Sequence, residues 1–136
     1  PAIICDIDGT IAHNDGHRDW YEYSKVGDDK VILPILDILE RYKVTHSIIF
    51  VSGREDDCKK ITEEWLTNNN IPWDYLYMRK TGDNRCDAIV KKEIFDEYIR
   101  DKYNILFVLD DRLRVCRMWH KLGLTLLKVG DPDANF

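Results

Sequence analysis

Two carboxylates, Asp6 and Asp8, stand two residues apart and are followed at once by Gly9 and Thr10. Acids this close repel each other, and keeping both ionised calls for a cation between or beside them. Mg2+ suits such an all-oxygen site. Later in the chain Ser52, Gly53 and Arg54 bring a hydroxyl next to a guanidinium, and Asp110 and Asp111 supply a second pair of acids. Alone, Asp-x-Asp-Gly-Thr also reads as a polar turn, because Asp and Gly are common turn formers. What decides between a turn and a reactive site is where the rest of the chain delivers these groups.

Each group directly follows an apolar run. Ala2-Ile3-Ile4-Cys5 leads into Asp6, Ser47-Ile48-Ile49-Phe50-Val51 into Ser52, and Ile105-Leu106-Phe107-Val108-Leu109 into Asp110. Continuous apolar runs of this length read as buried parallel strands. In open α/β sheets ligands sit outside the carboxyl ends of such strands, and Gly9 lets the backbone turn sharply there. Between the strands, Ile32, Ile35, Leu36 and Leu39 form a helical stripe ending near Tyr42, with Asp28 or Asp29 as its cap and Pro34 in its first turn. A second helix carries Cys58, Ile61, Trp65 and Leu66, capped by Asp56 or Asp57 and stopped by Asn68-Asn69-Asn70. After a short strand at Tyr75-Leu76-Tyr77-Met78, a long helix capped by Asp87 has Val90, Ile94, Phe95, Tyr98 and Ile99 on its apolar face. Lys91 falls in its early turns, off that stripe. Val115, Met118, Trp119 and Leu122 mark a last helix, Gly123 ends it, and Leu124 to Val129 is the last strand. The stretch from Ile11 to Gly27 has no helical period and reads as a loop or small flap carrying His13, His17 and Arg18. Arg79 to Arg85 reads as a polar, basic loop.

Strands alternating with helices predict a parallel sheet with right-handed crossovers. With the first strand central, Asp6, Asp8, Asp110 and Asp111 meet at the switch point, and Ser52 and Arg54 arrive at the same edge. Three polar strand ends of complementary chemistry at one edge outweigh the reading as turns.

The frame set by composition agrees. The 136 residues suit one domain. A formal charge of −5 gives no overall basic field to attract a long nucleic acid, so any such partner must meet a local patch. Cys5, Cys58, Cys86 and Cys116 have no C-x-x-C or zinc spacing. Cys5 and Cys116, in apolar periodic segments, read as buried reduced thiols of an intracellular, cytoplasmic protein. No signal peptide is legible and no apolar run is long enough to span a bilayer. The start at Pro1, without Met, leaves open whether the chain is a piece of a longer polypeptide.

In order, Asp6-Ile7-Asp8-Gly9-Thr10, Ser52, Lys91 and Asp110-Asp111 resemble the four motifs of haloacid dehalogenase-type phosphohydrolases, and the match covers nearly the whole chain. VSGRE at 51–55, GDNRCDAIVKKEIF at 82–95 and LDDRLRVCRMWHKLG at 109–123 are similar, more narrowly, to the 3′-phosphatase domain of phage-type polynucleotide kinase-phosphatases. The resemblance implies a Rossmann-like three-layer α/β sandwich with a mostly parallel sheet and a minimal cap. Its implied activity is removal of a 3′-terminal phosphate from DNA or RNA ends, in nucleic-acid repair, possible in a phage- or virus-encoded protein. Asp6 would attack phosphorus and become an aspartyl phosphate. Asp8 would protonate the leaving 3′-oxygen and later activate water. Mg2+ would be held by the Asp6 carboxylate, the Asp8 main-chain carbonyl and the Asp110-Asp111 pair. Thr10, Ser52 and Lys91 would hold phosphoryl oxygens, Arg18 and Arg54 would bind substrate phosphate, and Asp87 would orient an arginine or Lys91.

The chain departs from the family pattern at Asp15-Gly16-His17-Arg18, which is one residue longer, and it has no G-x-x-x-x-G-K-[ST] loop for a kinase reaction. A kinase or other repair domain in a longer chain, and a homo-oligomer, stay open. A small-molecule phosphatase or nucleotidase of the same superfamily, and a binding module with a dead site, are the alternatives. The short spans between motifs leave no room for a large lid domain, which suits a polymer end. Arg18, Arg54, Arg79, Lys80 and Arg85 are expected to form a cationic rim around the mouth of the site.

Overall fold

A computed structural model describes residues 1–19 and 22–133. In chain order it contains β1 (Ala2–Cys5), β2 (Ala12–His13), β3 (Lys30–Val31), α1 (Leu33–Tyr42), β4 (Ser47–Glu55), α2 (Lys59–Asn68), β5 (Tyr75–Arg79), α3 (Asp87–Ile94), β6 (Ile105–Asp110), α4 (Leu113–Lys121) and β7 (Leu126–Lys128). Strands β5, β4, β1, β6 and β7 pair in that order, every pairing parallel. The first strand is central, as its unbroken apolar run requires: all four of its residues are buried.

Side-chain alternation along the strands splits the core into two layers. Ile3, Cys5, Ile48, Phe50 and Leu109 face α1 and α2, where Ile35, Leu39, Trp65 and Leu66 cover them. Ala2, Ile4, Ile49, Val51 and Val108 face α3 and α4, under Val90, Ile94, Val115 and Trp119. The result is a three-layer α/β sandwich. Helix α3 runs on into a wider π-type turn at Phe95–Ile99, which keeps Phe95 and Ile99 on the buried face.

Two local expectations are corrected. The described residues of the stretch from 11 to 27 include regular structure where a loop was expected, because β2 pairs antiparallel with β3 and a 3-10 helix, Tyr23–Asp28, precedes β3. Trp20 and Tyr21 of the expected flap lie outside the described residues. The anticipated helix caps also do other work. Helix α1 starts only at Leu33, with Ile32 in the capping position, because β3 intervenes after Asp29. Helix α2 is preceded by a 3-10 turn, and Asp56 accepts hydrogen bonds from the Thr81 amide and hydroxyl. Asp87 is the first residue of α3, and its carboxylate is turned to arginines. Among the described residues no helix is long and apolar enough to cross a membrane.

Cys5, Cys58 and Cys116 are buried and Cys86 is exposed, all as free thiols. Burial, with Asp110 adding to it, pushes the Cys116 thiol up to about 12.

Candidate active site

Adjacent strands β1 and β6 end together, and the backbone N–H of Asp6 donates to the carbonyl of Leu109 at 2.9 Å. That pairing puts the carboxylates of Asp6, Asp110 and Asp111 side by side, with one oxygen of each within 4.8 Å of the others. All three residues are buried. Gly9 makes the approach possible. Its φ is +83°, and a Cβ there would stand 2.0 Å from Asp111 Oδ2.

Lys91 supplies the counter-charge. Although it lies off the apolar stripe of α3, it is only 2% exposed, and its Nζ donates to Asp6 Oδ1 at 2.8 Å and to Asp110 Oδ2 at 3.0 Å. Trp119 Nε1 also donates to Asp110 Oδ2, at 3.2 Å. Three buried carboxylates facing one ammonium leave negative charge uncompensated. Burial, then Asp110, pushes the Asp6 carboxyl well above its ordinary range against the opposing pull of Lys91. Burial likewise raises Asp111. Lys91 shifts upward because Asp110 and Asp6 outweigh the effect of burial. A buried all-oxygen set with excess negative charge, close enough to be spanned by one ion, fits a hard divalent cation.

Asp8 lies beside this cluster in a different environment. Arg54 grips it side-on, Nε donating to Oδ2 at 2.9 Å and Nη2 to Oδ1 at 2.8 Å, and Arg18 Nη2 donates to Oδ1 at 3.2 Å. Burial would raise this carboxyl, but the two arginines outweigh it and hold Asp8 below the ordinary value. Two neighbouring acids thus have their proton affinities pushed in opposite directions, the pattern expected of separate roles.

The remaining expected residues are placed as follows. Thr10 is buried, its hydroxyl 3.2 Å from Asp6 Oδ2 and 3.5 Å from Asp111 Oδ1. Ser52 Oγ accepts from the backbone N–H of Arg54 at 3.1 Å. Asp87 accepts from Arg79 Nη2 and, at 2.7 Å, from Arg112 Nη1. Gly53 allows this, since a Cβ there would stand 2.5 Å from Asp87 Oδ1. Asp6, Asp8, Arg54, Asp87, Lys91, Asp110 and Asp111 line one cleft of about 330 Å3, whereas Thr10, Ser52 and Arg18 do not.

The cationic rim differs from expectation. Arg54, Arg79 and Arg85 do flank the cleft. Their charge, however, is spent internally: Arg54 on Asp8 and Asp29, Arg79 on Asp87, and Arg85 on Asp83 and Glu93. Arg18 is buried against Asp29 and Asp8. Three residues were not assigned to the site from the sequence: Asp29, read there as a helix cap, and Arg112 and Tyr23, which line the cleft. Arg112 directly follows the Asp-Asp pair, a position that could have drawn attention. Asp29 could have been found by asking which acid balances two arginines destined for one site.

Acids at the carboxyl ends of adjacent central strands, counter-charged by a helix lysine, put the molecule among haloacid dehalogenase-like phosphatases. The sequence profile described as the polynucleotide kinase PNKP phosphatase domain matches residues 1–134, and the chain belongs to that family. A protein of Autographa californica nuclear polyhedrosis virus, described as a bifunctional polynucleotide kinase/RNA ligase, is 35% identical over 127 residues, covering 90% of this chain and 18% of its own length. A protein of Halalkalibacterium halodurans described as a nucleotidase is 28% identical over 67 residues, covering 49% of this chain and 33% of its own. A chain in a structure of the Pnkp1/Rnl/Hen1 RNA repair complex superposes with a TM-score of 0.93 at 40% identity, covering 97% of this chain and 43% of that one. A second structure of the complex gives 0.91 at 41% identity, with 96% and 46% covered. The chain therefore spans less than half the length of these relatives.

Proposed function

We propose that this chain removes 3′-terminal phosphates from nucleic-acid ends through an aspartyl phosphate on Asp6. The observation that carries this reading is the juxtaposition of Asp6, held by Lys91 among Asp110 and Asp111, with an Asp8 whose environment is opposite in sign. In this reading an Asp6 oxygen attacks phosphorus, the P–O3′ bond breaks, and the leaving oxygen takes a proton from Asp8. The Asp8 carboxylate then takes a proton from water as that water attacks the acyl phosphate, releasing inorganic phosphate and restoring Asp6. At rest Arg54 and Arg18 favour the carboxylate form of Asp8, which suits the second half. An incoming phosphate dianion opposes those arginines and raises the proton affinity of Asp8 for the first.

Asp6, Asp110, Asp111 and the main-chain carbonyl of Asp8 would hold Mg2+, which when bound offsets the repulsion between an anionic nucleophile and an anionic phosphate. Lys91 pulls the Asp6 carboxyl toward its ionised form in the same cause, against the effect of burial. Thr10 orients the Asp6 carboxylate, Ser52 fixes the backbone that carries Arg54, and Asp87 aligns Arg79 and Arg112 at the mouth. The small β2–β3 sheet in place of a lid suits a polymer end.

Membership in the polynucleotide kinase phosphatase family supports a nucleic-acid substrate, and the neighbours in an RNA repair complex support further repair domains as partners. The partial likeness to a nucleotidase favours a small nucleotide as the second reading. Phosphate release from a 3′-phosphorylated oligonucleotide, a nucleoside 3′-monophosphate and a nucleoside 5′-monophosphate, each with Mg2+ or excess chelator, separates them. The oligonucleotide should be the best substrate and the chelator should abolish turnover. Preference for the 5′-monophosphate, or full turnover in chelator, overturns the proposal.

A further inference from the structure

Helices α2 and α4 each begin shortly after a central strand ends at the cleft, yet their charges are opposite. Lys59 and Lys60 of α2 stand between Asp56-Asp57 and Glu63-Glu64. On α4 there is no acid at all: from Arg112 to Gly130 the chain holds three arginines and two lysines and no Asp or Glu. Val115, Cys116 and Trp119 form the buried side of α4. Arg114, Arg117 and Lys121 are exposed, and their i, i+3, i+7 spacing puts them on one outer stripe. Among the described residues none of these three side chains has an ion-pair partner.

Helix stability asks for the reverse. The first turn of a helix favours acids and disfavours cations, but α4 has no acid there and carries Arg114 instead. Arg114 and Arg117, three residues apart, repel each other as well. The stripe also starts at the reaction site, because Arg112, at the N-cap of α4, lines the cleft and donates to Asp87 at 2.7 Å. Strands β6 and β7 are parallel, so α4 must run back from the cleft edge. With a rise of about 1.5 Å per residue it covers about 10 Å from Arg114 to Lys121. The other ways out of the cleft are less inviting to an anion: the flap exposes Asp15 and Asp19, the end of β4 leads to exposed Asp56 and Asp57, and Arg85 of the loop is held by Asp83 and Glu93.

We propose that the outer face of α4 is the track for the nucleic-acid strand leading away from the terminal phosphate, with Arg114 and Arg117, and Lys121 beyond them, taking the phosphodiesters 5′ of the terminal nucleoside. The inference rests on the reading of the cleft as a 3′-phosphatase site and names the surface that holds the rest of the substrate. Contacts made to phosphates alone carry no base information, so the track is indifferent to sequence. A nucleoside 3′-monophosphate does not reach it.

The test compares wild type with Arg114→Gln/Arg117→Gln and with Lys59→Gln/Lys60→Gln, which removes the same charge from α2. Fluorescence anisotropy of a 3′-hydroxyl oligonucleotide across a salt series reads strand binding without turnover. Phosphate release from a 3′-phosphorylated oligonucleotide and from a nucleoside 3′-monophosphate is measured on the same three proteins. Gln is a good helix former and the substitution relieves a repulsion, so the α4 variant should melt no lower than wild type. Its strand binding at low salt and its kcat/KM on the oligonucleotide should both fall roughly tenfold and its salt slope by ~0.7–1.4, one or two phosphates' worth, with the monophosphate changed by no more than about twofold. The α2 variant should match wild type throughout. Equal losses in the two variants, or a loss on the monophosphate as large as that on the oligonucleotide, overturn the inference. Wild-type affinity and slope in the α4 variant also overturn it and leave the stripe to another anion, such as an acidic protein segment. If wild type releases phosphate from neither substrate while strand binding is still lost only in the α4 variant, the proposed reaction falls and the track stands.

Discussion

Replacing Lys91 by Met keeps most of the side chain's bulk and removes its charge. The ammonium is buried at 2.8 Å from Asp6 and 3.0 Å from Asp110, with Asp111 in the same cluster. Removing one partner of a buried ion pair typically costs ~3–5 kcal/mol, which for a domain of this size is a drop of roughly 10–20 °C in melting temperature. The direction with pH follows from the shifts. Asp6 and Asp111 have folded-state values above their unfolded ones, so they oppose folding as pH rises from the ordinary carboxylate range through those raised values. Lys91 is also raised, so its contribution is complete below its unfolded value of about 10.4 and is lost only as pH climbs through the folded one. Without Lys91 the carboxyls rise further. The deficit should therefore be largest at neutral and alkaline pH and should shrink toward pH 5, and added Mg2+ should restore part of it. Melting curves from pH 5 to 9, with Mg2+ or chelator, measure this directly. A Lys91→Met protein that melts with wild type at pH 8 in chelator would refute the idea that this lysine balances buried charge.

Three further outcomes are expected. Asp6→Asn should abolish both turnover and the phosphoprotein trapped by acid quench, while Asp8→Asn should keep metal binding yet lose ~10²- to 10⁴-fold in turnover; calorimetry and quenched-flow labelling distinguish them. Gly9→Ala should weaken Mg2+ binding and stability together, since its Cβ falls on Asp111 at a φ of +83°, with a strain of ~1–3 kcal/mol visible in melting and titration. Because Arg54, Arg79 and Arg85 are paired within the protein, salt should weaken oligonucleotide binding with a slope of only ~0.7–1.4, one or two phosphates' worth on a single strand. A slope near five phosphates' worth, read by fluorescence anisotropy, would mean that these pairs open to substrate.

The three central strands and their order were legible because each of those apolar runs ends in a polar group, and that pattern also locates Asp6, Asp8, Asp110 and Asp111, whereas β2 and β3 left no such trace. Lys91 was legible only through its motif: on helical periodicity it belongs to the wet face, and burial of the acids it balances overrides that. Asp29 was misread because a cap and an ion-pair partner look alike in a polar stretch, and the two-residue strand that separates it from α1 leaves almost no periodic trace. The rim was misread for a related reason. Lysines and arginines can be counted along a sequence, but Asp83 and Glu93 neutralise Arg85 only once α3 turns back beside the loop.

The contact between Gly9 and Asp111 joins positions about a hundred residues apart, so the order of synthesis matters. While the chain emerges from the ribosome, β1 can pair with β4, and β4 with β5, long before β6 exists. Throughout that interval the central apolar strand has one bare edge, a template for pairing with another chain. The cation site cannot form in that period because two of its three acids are still missing. Binding of the proposed Mg2+ would thus belong to the finished fold alone, and loading with metal would serve as a stopwatch for the last step of folding: its onset should coincide with the docking of β6 and not with the earlier appearance of helix.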